Sequence, residues 1–115
     1  MSSPFSALLS SLIRHRGVTG YMVVGEADGM IIDSSLQIGV NGDAFAALTA
    51  SLYRKARRAA KAAGFGETGF FELDADGGRM CAAGRNELVI VVLAEPRVNV
   101  GLLRVEMLKA LEAFA

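Results

Sequence analysis

Three groups of residues have types and spacing that could do chemistry. Gly64-Phe65-Gly66-Glu67-Thr68-Gly69 matches G-x-G-x-x-G. In a dinucleotide site such glycines follow a strand and open a helix whose N-terminus holds a pyrophosphate. Here a helical pattern ends and a strand pattern begins, so Gly64 reads as a helix C-cap and the other glycines as turn residues. No G-K-[S/T] is present, so the lysine and hydroxyl of a nucleotide-hydrolysing P-loop are missing. Asp74 and Asp76 ahead of Gly77 suggest calcium. Such a loop requires a bidentate glutamate six residues after the glycine, and that position is Ala83. His15 and Cys81 are the single histidine and single cysteine, too few for a zinc site. Cys81 sits among small apolar neighbours and reads as core, and His15, between Arg14 and Arg16, as a solvated side chain near a helix end. These readings imply no catalytic residues, no cofactor-binding residues and no metal.

The third group is basic. Arg54, Lys55, Arg57, Arg58 and Lys61 are five of the twelve basic residues, and between Asp43 and Ala63 the only acid is Asp43. Arg54, Arg58 and Lys61 share a helical face at steps of four and three. The simpler explanation is a solvated face whose cations lie near a helix C-terminus, where the dipole favours them. The functional one is a docking patch for an acidic protein surface. A nucleic-acid partner is disfavoured: the patch is short, only Tyr53 stands beside it for stacking, and formal net charge is zero.

The elements that would position these residues follow from periodicity. Ser3 and Pro4 begin a helix carrying Phe5, Leu8, Leu9 and Leu12, ended by Gly17. Tyr21–Val24 and Met30–Ile32 form a hairpin through Asp28-Gly29. The long helix opens near Asn41-Gly42-Asp43, with Asp43 as the expected cap, and runs to Gly64. It carries two apolar stripes. Phe45, Leu48, Leu52, Ala56, Ala59 and Ala63 make one, and Ala46, Ala50 and Tyr53 the other. Strands are expected over Thr68–Leu73, Arg79–Ala83 and Leu88–Ala94, with turns at Asp74–Gly78 and Gly84-Arg85-Asn86. The last strand is apolar on both faces and should be central. Asn99 caps a final helix bearing Val100, Leu103, Met107, Leu111 and Phe114. The order α-β-β-α-β-β-β-α with hairpin-length turns implies an α/β (α+β) sandwich on an antiparallel sheet, one domain over residues 1–115.

Composition bounds the class. The 115 residues suit a single domain with a real core. One cysteine excludes an intrachain disulfide and fits a reducing cytoplasm. No run approaches the ~20 apolar residues of a membrane span, and no signal peptide is recognisable. Apolar residues make up 52% before the 13 glycines are counted, above the about 45–50% usual with glycine included. That surplus and the two-striped helix point to a buried protein interface.

Several stretches taken together resemble the Roadblock/dynein light chain family. They are Gly17–Val24 with Asp28–Ser34, the alanine-rich helix from Phe45-Ala46-Ala47-Leu48, Gly64–Glu67, and Glu87–Leu93 leading through Pro96 and Asn99 to Gly101–Arg104. The likeness is to its bacterial gliding-motility-regulator branch, and the alanine-rich composition looks more bacterial than animal. It implies a five-stranded antiparallel sheet between helices and a homodimer in which long helices pack and third strands pair. Members have no chemistry of their own; they are dynein subunits, scaffolds for small GTPases, or bacterial regulators of a partner GTPase. The resulting expectation is a cytoplasmic, non-catalytic, homodimeric regulator or scaffold of a small Ras-like GTPase. Ala46, Ala50, Tyr53 and Arg57 are expected at the helix contact, Thr68, Phe70 and Glu72 at the strand contact, and Arg54, Arg58 and Lys61 at the GTPase. The alternatives are a small-ligand sensory module of profilin-like architecture and a structural adaptor subunit of a motor-type complex.

Overall fold

The structure is a computed structural model that describes residues 6–37 and 39–113. Along the chain run α1 (Ser6–Ile13), β1 (Val18–Gly25), β2 (Ile31–Ser35), α2 (Gly42–Ala62), β3 (Phe71–Ala75), β4 (Gly78–Arg85), β5 (Leu88–Ala94) and α3 (Val100–Glu112). The strands form one sheet in the order β2-β1-β5-β4-β3, every neighbouring pair antiparallel. The α+β architecture and the central place of β5 are as the sequence implies.

Alternation along the strands explains the three layers. Tyr21, Val23, Cys81, Ala83, Ile90 and Val92 point to one face, where α1 brings Leu9 and Leu12 and α3 brings Leu103, Met107 and Leu111. Met22, Val24, Met80, Ala82, Val89 and Val91 point to the other, where α2 brings Ala46, Ala50 and Tyr53. Because helices cover both faces, β5 can be apolar throughout. Ser3, Pro4, Phe5, the Leu8 side chain and Phe114, assigned to helices from the sequence, lie outside the described residues.

Four local expectations change. The α2 cap is Asn41, not Asp43: the Asn41 side chain accepts from the Ala44 N–H at 3.2 Å, and Asp43 sits inside the first turn. Strand β3 starts at Phe71 rather than Thr68, because ladder pairing begins at Phe71 with Ala82. Thr68 and Phe70 therefore belong to the connector that leaves α2. The β4–β5 turn centres on Asn86 and Glu87, both at positive φ (53° and 67°). Gly84 is instead a strand residue: a Cβ there would lie 2.8 Å from the Tyr53 ring, so glycine makes room for the tyrosine. Gly64 does end α2 as expected. At φ +80° it follows the Ala63 C-cap, its N–H bonds Lys61 O at 3.0 Å, and the Phe65 N–H bonds Ala60 O at 2.8 Å, the paired bonds of a Schellman motif.

Candidate docking surface

Helix α2 spans 21 residues, about 31 Å at 1.5 Å per residue, and presents opposite stripes to the sheet and to the outside. The inner stripe is Ala46, Thr49, Ala50 and Tyr53, all buried. Small alanines let the axis approach the sheet, and the Tyr53 ring fills the space left by Gly84. The Tyr53 hydroxyl donates to Thr68 O at 3.3 Å, and burial raises its pKa above the ordinary phenol value. The outer stripe includes Leu48, 66% exposed, and Leu52, 39% exposed. The two stripes are those read from the sequence, but their assignment is reversed. Ala46, Ala50 and Tyr53, expected at a helix–helix contact, have no surface to offer a second chain. The physical reason is fit: the close helix–sheet approach admits the small Ala46 and Ala50, and Gly84 makes room for the Tyr53 ring.

The basic residues divide in the same way. Arg57 is the centre of an ion-pair cluster, not a free contact residue. It pairs with Glu26 of the β1–β2 turn and, at 3.2 Å, with Glu67 of the connector; Lys61 holds Glu67 from the other side at 3.1 Å. The Glu26 carboxylate keeps Arg57 even more firmly protonated than usual. Hydrogen bonds from Lys61 and then Arg57 lower the Glu67 pKa. Arg54 donates to the carbonyls of Glu26 and Ala27, so it secures the β1–β2 turn. Arg58 is exposed and has no ion pair among the described residues, and Lys61 keeps half its surface open. Of the three cations assigned to a partner, then, Arg58 and Lys61 face solvent while Arg54 is engaged within the chain. With Glu26 and Arg57 these three line a hollow of about 210 Å³ beside the helix.

At the sheet edge, β3 has a neighbour only on its β4 side. Leu73 of β3 pairs with Met80 and so stands on the α2 face of the sheet, partly exposed. Glu72 and Asp74 point to the opposite face and both meet Arg79, at 3.6 and 3.2 Å. A hydrogen bond shared with Asp74 raises the Glu72 pKa. Phe70 packs against the α1/α3 core with the Arg104 guanidinium 5.4 Å from its ring centre. Thus Thr68, Phe70 and Glu72, expected together at a strand contact, occupy three different settings; the open edge itself is the backbone of Phe71–Ala75. Sequence reasoning also missed Phe65. Held between two positive-φ glycines, it is 82% exposed, the most open of the large apolar side chains described. Its signal is the G-x-G frame, whose glycines the sequence reading assigns to a helix C-cap and a turn without weighing the side chain between them.

No group of three or more His, Cys, Asp or Glu among the described residues is arranged to hold a metal, and Asp74 is committed to Arg79. No described helix is long and apolar enough to cross a membrane. The chain is thus a three-layer α+β unit with an outward apolar stripe on α2 and an open strand edge at β3. The Roadblock/LC7 domain pattern matches residues 5–94, and the chain belongs to that family. Two uncharacterized proteins of Methanocaldococcus jannaschii are each 31% identical to it, over 91% and 90% of both chains. Among solved structures, the Roadblock/LC7 domain from Streptomyces avermitilis superposes with a TM-score of 0.85 at 21% identity, covering 96% of this chain and 94% of that one. Myxococcus xanthus MglB gives 0.84 at 22%, covering 94% and 89%. Similar chains thus come from archaea and bacteria alike, and composition does not separate the two sources.

Proposed function

We propose that this chain is a non-catalytic, homodimeric, cytoplasmic subunit that regulates or scaffolds a small Ras-like GTPase. The observation that carries the reading is the outer face of α2: Leu48 and Leu52 stand in solvent on the longest helix, and β3 has a strand neighbour on one side only. A second copy placed by a two-fold axis would cover both features at once, helix on helix and strand on strand. The partner GTPase enters through family membership and through the likeness to MglB. Arg58 and Lys61 sit at the rim of the paired helices, where cations raise the association rate with an acidic surface and add little affinity.

The test is direct. The dimer is used to recover a nucleotide-binding partner from the source cell, and hydrolysis by that partner is measured with and without the chain. Altered turnover, or retention of the partner without altered turnover, supports regulation or scaffolding respectively. A monomer by light scattering at micromolar concentration overturns the homodimer. Nucleotide hydrolysis by the repurified chain alone overturns the non-catalytic reading.

A further inference from the structure

A second feature lies away from α2, at the end of the α1/α3 layer. The α1–β1 turn and the β5–α3 turn line a half-open hollow of about 670 Å³ formed by His15, Arg16, Gly17, Glu95, Arg97, Asn99 and Leu102. The two turns are stitched to each other. The Glu95 N–H bonds Gly17 O at 2.7 Å, the Val18 N–H bonds His15 O at 3.1 Å, and the Val98 N–H bonds Glu95 O at 3.1 Å. Gly17, at φ +95°, packs so closely that a Cβ would lie 3.2 Å from the Val98 side chain. The His15 ring is oriented by its Nδ1, which donates to Arg16 O at 3.1 Å. The backbone of the two turns is therefore held in place before any ligand arrives, which lowers that part of the entropic cost of binding.

Its chemistry is cationic. Arg16 and Arg97 come from different turns, are both exposed, and have no ion pair among the described residues. Glu95 is the one carboxylate in the lining. The Asn99 side chain is already spent on the Leu102 N–H at 3.0 Å and is not itself free to hold a ligand. Leu102, half exposed, adds an apolar wall. We infer that this hollow binds a small phosphate-bearing molecule, a phosphomonoester with a compact apolar body, between Arg16 and Arg97. Guanidinium groups match phosphate oxygens in fork geometry, and the volume lies in the range of small-molecule sites. The inference is independent of the GTPase reading, since no residue of the α2 face takes part.

The probe is inorganic phosphate, titrated into the full chain at constant ionic strength with chloride as the balancing anion. Amide NMR shifts report the site. The backbone signals of Gly17 and Arg97 should move and saturate, while those around Lys55 and Arg58 stay put. Arg16→Gln and Arg97→Gln should each weaken binding about 1.5- to 5-fold, the range of an exposed charge pair. Glu95→Gln should tighten it by a similar factor, because it removes the opposing carboxylate. Lys109→Gln, an exposed cation farther along α3, should change nothing. All four side chains are exposed, and circular dichroism melts verify that each variant folds. The inference is overturned if the double arginine variant keeps the wild-type shifts, if Glu95→Gln does not tighten binding, or if every surface cation responds alike. Sedimentation with phosphatidylglycerol vesicles separates a lipid headgroup from a free anion. Co-sedimentation without a saturating phosphate shift also overturns it.

Discussion

Replacing single residues on the two stripes of α2 separates the dimer reading from the monomer fold. Leu48 is 66% exposed in the single chain. Leu48→Ala removes three carbons, worth about 2.4 kcal/mol at 0.8 per buried group. Two-thirds of that remains available to an interface, about 1.6 kcal/mol per copy, and two copies lose about 3 kcal/mol. Dimer dissociation should rise roughly 200-fold at 1.4 kcal/mol per decade. The fold of each chain should be nearly untouched. Ala50→Glu should do the reverse. Ala50 is fully buried against the sheet, so a carboxylate there has no water and no partner, and the loss should be several kcal/mol, a large part of a small domain's stability. The assay is sedimentation equilibrium across a concentration series, beside thermal melts at one concentration. An Ala50→Glu chain that stays folded but becomes monomeric would refute the stripe assignment. A Leu48→Ala chain with unchanged dissociation would show that the interface lies elsewhere.

Other expectations concern the site's supports and the core. Arg57→Met should cost about 1 kcal/mol, since both ion pairs are partly exposed, and should speed hydrogen exchange in residues 64–70, which Glu67 otherwise holds. Because the folded-state pKa of Glu67 is lowered by Lys61 and Arg57, its contribution is present above the ordinary carboxylate value of 4.5 and is lost as pH falls through the folded value. Wild type and Glu67→Gln should therefore differ in urea midpoint at neutral pH and converge in acid; a gap that persists at pH 2 would refute the pairing. Burial pushes the Cys81 thiol up to about 11, so a maleimide at pH 8 should leave the folded chain unlabelled and modify it in denaturant. Glu87→Gly should stabilise by about 1 kcal/mol, because glycine adopts the positive φ of this turn without a Cβ clash; an unchanged melting temperature would show that the turn carries no strain.

The sequence by itself determined the element order, because period and punctuation are local properties. Leu88–Leu93 announced a doubly covered strand, Asn99 and Gly64 marked helix ends, and the two stripes of α2 were visible at steps of three and four. What local pattern cannot say is which stripe meets the sheet. Phe45, Leu48 and Leu52 are the more apolar set, and burial by hydrophobicity alone would turn them inward. Tertiary packing chose Ala46, Ala50 and Tyr53, because the close helix–sheet approach admits alanines and because Gly84, 31 residues from Tyr53, leaves a space of the tyrosine's shape. The same holds for charge. Five cations in one helix read as a single patch, and only the folded chain brings Glu26 and Glu67 to Arg57 while leaving Arg58 open. Arg16 and Arg97, 81 positions apart, share no motif at all; the Glu95–Gly17 bond makes them neighbours, and a pairing of that kind has no signature in a one-dimensional pattern.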